Sequence, residues 1–114
     1  MNLLTPDQLK LETFSPWLKS KFRVAIDSAN FLEVELAEAN ALTYPGEPQS
    51  AAKGPGQNSF SLVFHGPDNR FLPQRMYLFE HDQIGRFELF IVPIGQKPGF
   101  IQYQAIFNRL TKPG

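Results

Sequence analysis

Apolar and polar positions alternate along most of this chain, and the places where the alternation fails divide it into elements. In "KFRVAID" Phe22, Val24 and Ile26 fall on one side and Lys21, Arg23 and Asp27 on the other, the two-residue period of a strand with one face buried. "SAN" reads as a turn, and "FLEVELAEA" resumes the period with Leu32, Val34 and Leu36 inward until Ala37-Glu38-Ala39 blurs the phase and predicts a bulge. These runs predict a first hairpin over residues 21–42. Further strands follow over 60–108: "FSLVFHG", "RMYLFEH", "GRFELFIVP" and "FIQYQAIFN", the last with Ile101, Tyr103, Ala105 and Phe107 opposite Gln102 and Gln104. About six strands joined mainly by short turns predict a mainly β fold, a small antiparallel meander barrel or half-barrel whose closure hides its edges.

Residues 1–20 break the period. Thr5-Pro6-Asp7 combines a capping hydroxyl, a proline suited to a first helical position and an early acid, which predicts the start of a short helix acting as a cap on the sheet. Pro16 should interrupt it at or before Ser15. Residues 43–59, rich in Pro, Gly and small polar residues, predict a long flexible loop, and 109–114 a tail.

The run 77–93, "YLFEHDQIGRFELFIVP", sets two apolar strands around Glu80-His81-Asp82. Taking Asp82 to Gly85 as a four-residue loop places His81 opposite Arg86, Phe79 opposite Glu88, Leu78 opposite Leu89 and Tyr77 opposite Phe90. One face then holds Met76, Leu78, Phe87, Leu89 and Ile91; the other holds Tyr77, Phe79, Phe90 and Val92 with the charged groups, Glu88 among them. A solvated face rarely carries so much apolar surface, so Tyr77, Phe79, Glu88, Phe90 and Val92 are the expected partner-binding residues.

Composition narrows the functional field. The 114 residues suit one domain, and 42% hydrophobic residues with 11 Phe supply a core. Eleven basic residues balance eleven acidic ones, leaving no global field to attract nucleic acid. The chain has no cysteine, which removes disulfides, thiolate nucleophiles and Cys-based zinc sites. It shows neither a signal-peptide pattern nor a long apolar span, so the expected location is the cytoplasm or an assembled particle, with no membrane span.

Catalytic and metal-binding patterns are weak. Glu80 and His81 are neighbours on a strand and should point to opposite faces; a general-base role for His81 would require Glu80 or Glu88 within hydrogen-bond reach. Asp82 and Gly85 have ordinary turn duties. His65 lies at a strand end and could approach Asp68. Two histidines without helical metal spacing make no metal or cofactor site, and no phosphate-binding loop or nucleophile elbow is present. Phe14, Trp17 and Phe22 suit burial under the cap better than a stacking platform for bases.

The segments "FSLVFHGP", "LPQRMY", "EHDQIGRFELFIVPIG" and "YQAIFN" resemble a family of small bacterial domains known only as a domain of unknown function. The resemblance rests on Gly66-Pro67, Leu72-Pro73-Gln74, Tyr77, Glu80-His81, Gly85, Leu89-Phe90, Val92-Pro93, Gly95, Tyr103, Ala105 and Phe107-Asn108. It implies a fold without an activity, and a link of some members to phage-tail-like collar proteins implies an assembly role. Arg75 stands where similar sequences often carry glycine. Of the shared polar residues, Gln74, Glu80, His81 and Asn108 are expected to form a structural hydrogen-bonded cluster.

Two functions follow as expectations. The first is a non-enzymatic protein-interaction or structural module that binds a protein partner or itself. The alternative is a small-ligand-binding or hydrolytic barrel with its pocket near His65 and His81, under the 43–59 loop as a lid.

Overall fold

The computed structural model describes residues 3–5, 8–41 and 59–107. The expected loop at 43–59, save Ser59, the residues Pro6 and Asp7, Asn108 and the tail lie outside them. A single helical turn, α1 (Leu11–Phe14), runs into a 3-10 turn at Ser15–Trp17, and six strands follow: β1 (Lys21–Ala25), β2 (Phe31–Ala41), β3 (Phe60–Pro67), β4 (Arg75–His81), β5 (Gly85–Lys97) and β6 (Phe100–Phe107).

The helix is shorter than the Thr5-Pro6-Asp7 pattern predicts. Lys10 is extended, at φ −125° and ψ 169°, so α1 begins at Leu11, where Thr13 Oγ1 accepts the Lys10 N–H at 3.0 Å, and the 3-10 backbone at Gln8, whose N–H donates to the Thr5 carbonyl at 2.9 Å, is separate from it. Pro16 acts as expected, since α1 ends at Phe14. No helix among the described residues is long and apolar enough to cross a membrane.

The strands form a closed antiparallel barrel in the order β1-β2-β3-β6-β5-β4. This departs from a meander at one point. β3 pairs with β6 rather than β4, and β4 closes the barrel against β1, so residues 68–74 cross the barrel end. Two buried phenols direct that crossing: Tyr103 Oη accepts the Leu72 N–H at 2.9 Å and Tyr77 Oη donates to the Pro73 carbonyl at 2.7 Å. Burial raises the pKa of both, keeping them neutral and able to donate. Gly66 lies close by, and a Cβ there would sit 3.1 Å from the Tyr103 ring and 3.3 Å from Val34.

The interior is packed with side chains. Phe22 and Val24 from β1, Val34 and Leu36 from β2, and Phe60, Leu62 and Phe64 from β3 meet Phe79, Phe87, Leu89 and Tyr103. Phe14 of α1, wholly buried, plugs one end against Phe22, Phe60, Phe87 and Phe107 at ring separations of 5.4–6.4 Å. Leu72 of the crossing segment, 1% exposed, closes the other. Aromatic contacts at these spacings add to the area burial that drives closure. The expected bulge in β2 falls between Leu36 and Glu38, where the register against β3 shifts.

The register of the β4–β5 hairpin corrects the expected one by a single residue. His81 pairs with Gly85, Glu80 with Arg86, Phe79 with Phe87, Leu78 with Glu88, Tyr77 with Leu89 and Met76 with Phe90. The loop is therefore three residues, 82–84, closed by Gly85 at φ +110°, a backbone region that glycine occupies without penalty. A one-residue slip reverses one strand relative to the other. Tyr77 and Phe79, expected on the outer face, are 4% and 0% exposed inside the barrel; Phe90 is 47% exposed, Glu88 is exposed and Val92 is half-buried.

Candidate functional site

The barrel closes where β1 meets β4, and this seam is its shortest pairing: Arg23 opposite Glu80 and Val24 opposite Phe79. Polar side chains gather around it on both faces. Outside, Glu80 accepts from Arg86 Nε at 2.6 Å and from Arg23 Nε at 3.4 Å, while Arg23 Nη2 reaches Asp82 at 2.9 Å. The Arg86 hydrogen bond holds the Glu80 carboxyl below its usual range against the opposing effect of burial, and the weaker hydrogen bond from Arg23 adds to it. The network spans β1, β4 and β5 and clasps the seam.

Inside, His81 is 5% exposed. Pleat alternation sends its ring inward and Glu80 outward, as the sequence predicts. The ring lies 4.4 Å from Phe22 and 5.2 Å from Trp17, centroid to centroid. Its Nδ1 accepts the main-chain N–H groups of Gln83 at 3.1 Å and Ile84 at 3.2 Å, and its Nε2 is 3.0 Å from Ser20 Oγ. The Ser20 hydroxyl itself lies 2.5 Å from the Trp17 carbonyl oxygen, to which it donates.

These partners assign the protons. Two N–H groups directed at Nδ1 require a lone pair there, so the ring proton of the neutral imidazole is on Nε2 and is donated to Ser20 Oγ. A serine–histidine pair at this distance has the outline of a nucleophile and its base, but a base must accept from the hydroxyl. Here the ring donates and the hydroxyl is committed to a carbonyl. Burial lowers the pKa of His81, outweighing the favourable charge of nearby Asp82.

Neither carboxylate considered as a partner for His81 serves it: Glu80 is held by arginines on the other face, and Glu88 projects outward opposite Leu78. Gln74 is exposed immediately before β4, some six residues from Glu80, a separation of roughly 20 Å along a strand. The expected cluster of Gln74, Glu80 and His81 is therefore not brought together, and its fourth member, Asn108, lies outside the described residues. The partners that do converge, Ser20, Trp17, Arg23 and Arg86, are remote from His81 or unremarkable in sequence; only the odd-numbered charges Lys21 and Arg23 beside an inward Phe22 hinted at an outer-face ion pair.

His65 occupies a different place. It points outward from β3, stacked on Phe100 at 4.2 Å and 3.4 Å from the Gln102 amide, whereas Asp68 accepts the Gly99 N–H. A groove of about 500 Å³ lies beside it, lined by Lys21, Glu33, Glu35, Gly66 and Phe100 among others. The hollow at the seam, about 310 Å³, is lined by Arg23, Glu80, His81, Asp82 and Arg86. The two histidines thus border separate hollows. Among the described residues no three His, Asp or Glu side chains are placed to hold a metal ion.

On the outer wall Met76, Phe90 and Ile106 are 53%, 47% and 57% exposed. They stand on the three neighbouring strands β4, β5 and β6, with Leu78 and Val92 half-buried on the same side.

The model of a family described as a domain of unknown function, DUF6916, matches residues 9–107. No curated protein and no solved structure matches the chain.

Proposed function

The chain belongs to the DUF6916 family, and we propose that it is a non-enzymatic protein-interaction module whose contact surface is the outer wall of β4, β5 and β6. The observation that carries this reading is the exposure of Met76, Phe90 and Ile106 on adjacent strands. Apolar side chains grouped on one sheet face, with Leu78 and Val92 beside them, make a surface whose removal from water favours association. Glu88, on the same wall, supplies a polar rim. The arrangement at Ser20 and His81 supports the non-enzymatic part, because the ring proton is on the wrong nitrogen for general-base catalysis. The motif resemblance to domains linked with phage-tail-like collar proteins favours a component of a larger assembly, in the cytoplasm or in a particle.

The test compares wild type with the triple variant Met76→Ser, Phe90→Ser, Ile106→Ser by sedimentation velocity, with circular dichroism as the control for folding. The variant should keep the barrel and lose the associated species. A wild-type protein that sediments only as a monomer, and binds candidate assembly proteins no better than the variant does, would rule the reading out.

A small-ligand reading retains one supporting feature, the groove beside His65 with Lys21, Glu33 and Glu35 on its walls. It predicts that His65→Ala alters binding of a small molecule without altering association.

A further inference from the structure

His81 joins two parts of the molecule that are far apart in sequence. Through Nδ1 it holds the amides of the β4–β5 loop, and through Nε2 it holds Ser20, in the linker between the helical cap and β1. The linker is also tied by main-chain bonds, Lys19 N–H to the Leu36 carbonyl at 2.7 Å and Leu36 N–H to the Ser20 carbonyl at 3.1 Å. Lys19 adopts φ +73° to make this turn, a conformation unfavourable for a residue with a Cβ. The β1–β4 seam at which these parts meet has two paired positions, so side-chain contacts contribute a large share of its closure.

A second proton on the imidazole can only go to Nδ1. An Nδ1–H would face two N–H donors, turning two attractions into two repulsions, and the amides of Gln83 and Ile84 would have to leave the ring. The charged groups around the ring set when this happens. Asp82, next in the chain, favours the cation, but is bound to Arg23; Arg23 on β1 opposes it. Arg86 on β5 is engaged by Glu80 on the outer face of β4. The cap side contributes Trp17 and Ser20 to the contact, neither of them charged. No carboxylate among the described residues is bonded to the imidazole.

We propose that His81 is a proton-operated latch: neutral, it fastens the β4–β5 loop to the cap linker across the β1–β4 seam, and protonated, it lets go of that loop and opens the barrel end there, while the β2-β3-β6-β5 wall stays paired. The long pairings of β3 with β6 and of β2 with β3 contain no element of the latch, so opening is local rather than global.

The chain is well suited to a test. It has one tryptophan, Trp17, and two histidines, His65 and His81, so an optical transition in the imidazole range has few sources. Trp17 emission is followed from pH 8 to pH 4.5 in wild type, His81→Gln and His65→Gln. In parallel, wild-type imidazole resonances and amide exchange are followed by nuclear magnetic resonance. The expected result is a reversible red shift of Trp17 emission below about pH 6.5 in wild type and His65→Gln, absent from His81→Gln. The Gln83 and Ile84 amides should lose protection by about tenfold or more as His81 titrates, after allowance for the intrinsic pH dependence of exchange, while Val63 and Tyr103 in the β3–β6 pairing keep theirs. Titration of His81 with undiminished protection at Gln83 and Ile84 would overturn the proposal. So would the same red shift in His81→Gln, or loss of protection at Val63 and Tyr103 in step with the loop. If His81→Gln does not fold, the wild-type resonance and exchange measurements decide by the same criteria.

Discussion

The two faces of the β4–β5 hairpin are made of similar residues and have opposite fates. Phe79 on β4 is wholly buried against Phe64 and Phe87; Phe90 on β5 is about half exposed opposite Met76. Neither residue type nor distance along the strand separates them, only which side of the pleat each occupies in the observed register. The apolar content of a strand therefore does not indicate which of its residues form the core and which form a surface. Parity does, and parity is set by loop length.

The comparison can be broken by substitution. Phe79→Ser should cost about 4 kcal/mol in chemical denaturation, a large part of the stability of a domain this size, because it opens a cavity and buries a hydroxyl. Phe90→Ser should stay within about 0.5 kcal/mol. Equal losses at the two positions would mean that the outer wall is covered within the monomer.

A second pair of like residues sharpens the contrast. His81→Ala strands two loop amides and Ser20 Oγ and should cost about 2 kcal/mol at neutral pH, whereas His65→Ala, on the outer wall, should cost less than about 1 kcal/mol. The two should also differ in pH response. The folded-state pKa of His81 is depressed below its ordinary value of 6.5 by burial, so below about pH 6.5 the unfolded chain binds the proton that the folded one refuses. Stability is at its full value above that pH and falls as pH drops toward the folded pKa. Denaturation midpoints measured between pH 7.5 and 5 should show this decline in wild type and His65→Ala and not in His81→Ala.

The ion pairs at the seam are partly exposed, with side-chain exposures of 39% for Arg23, 19% for Glu80 and 40% for Arg86, so screening limits their worth. Glu80→Gln should cost about 1 kcal/mol, shrinking in high salt. The depressed Glu80 pKa gives stability that is present above its unfolded value near 4.5 and lost as pH falls through the folded value. One substitution is expected to give a gain: Lys19→Gly relieves the positive φ and should stabilise by up to about 1 kcal/mol, read as a raised melting temperature.

Much of the architecture is legible in the residue pattern. The inward sets Phe22-Val24, Leu62-Phe64 and Ile101-Tyr103-Ala105, the bulge after Leu36, the break at Pro16 and the divergence of Glu80 from His81 all depend on local period or on the chemistry of one residue. The candidate site was less accessible. The pattern alone puts Tyr77 and Phe79 on the outer face, because a three-residue loop and a four-residue loop over 82–85 are compatible with the same sequence, and the Ser20 partner of His81 leaves no local signal, since it lies 61 positions away.

Alternation along each strand indicates a mainly β fold of about six antiparallel strands, a small barrel or half-barrel, since a two-residue period is a property of extended backbone itself. The pairing of β3 with β6 and the seating of Ser20 at Nε2 of His81 were decided only by the tertiary structure, because they bring together groups distant in sequence. The three-residue loop and the lone pair at Nδ1 are local, yet two loop lengths fit the same residues, and the fold selects the one that turns the Gln83 and Ile84 amides back to the ring.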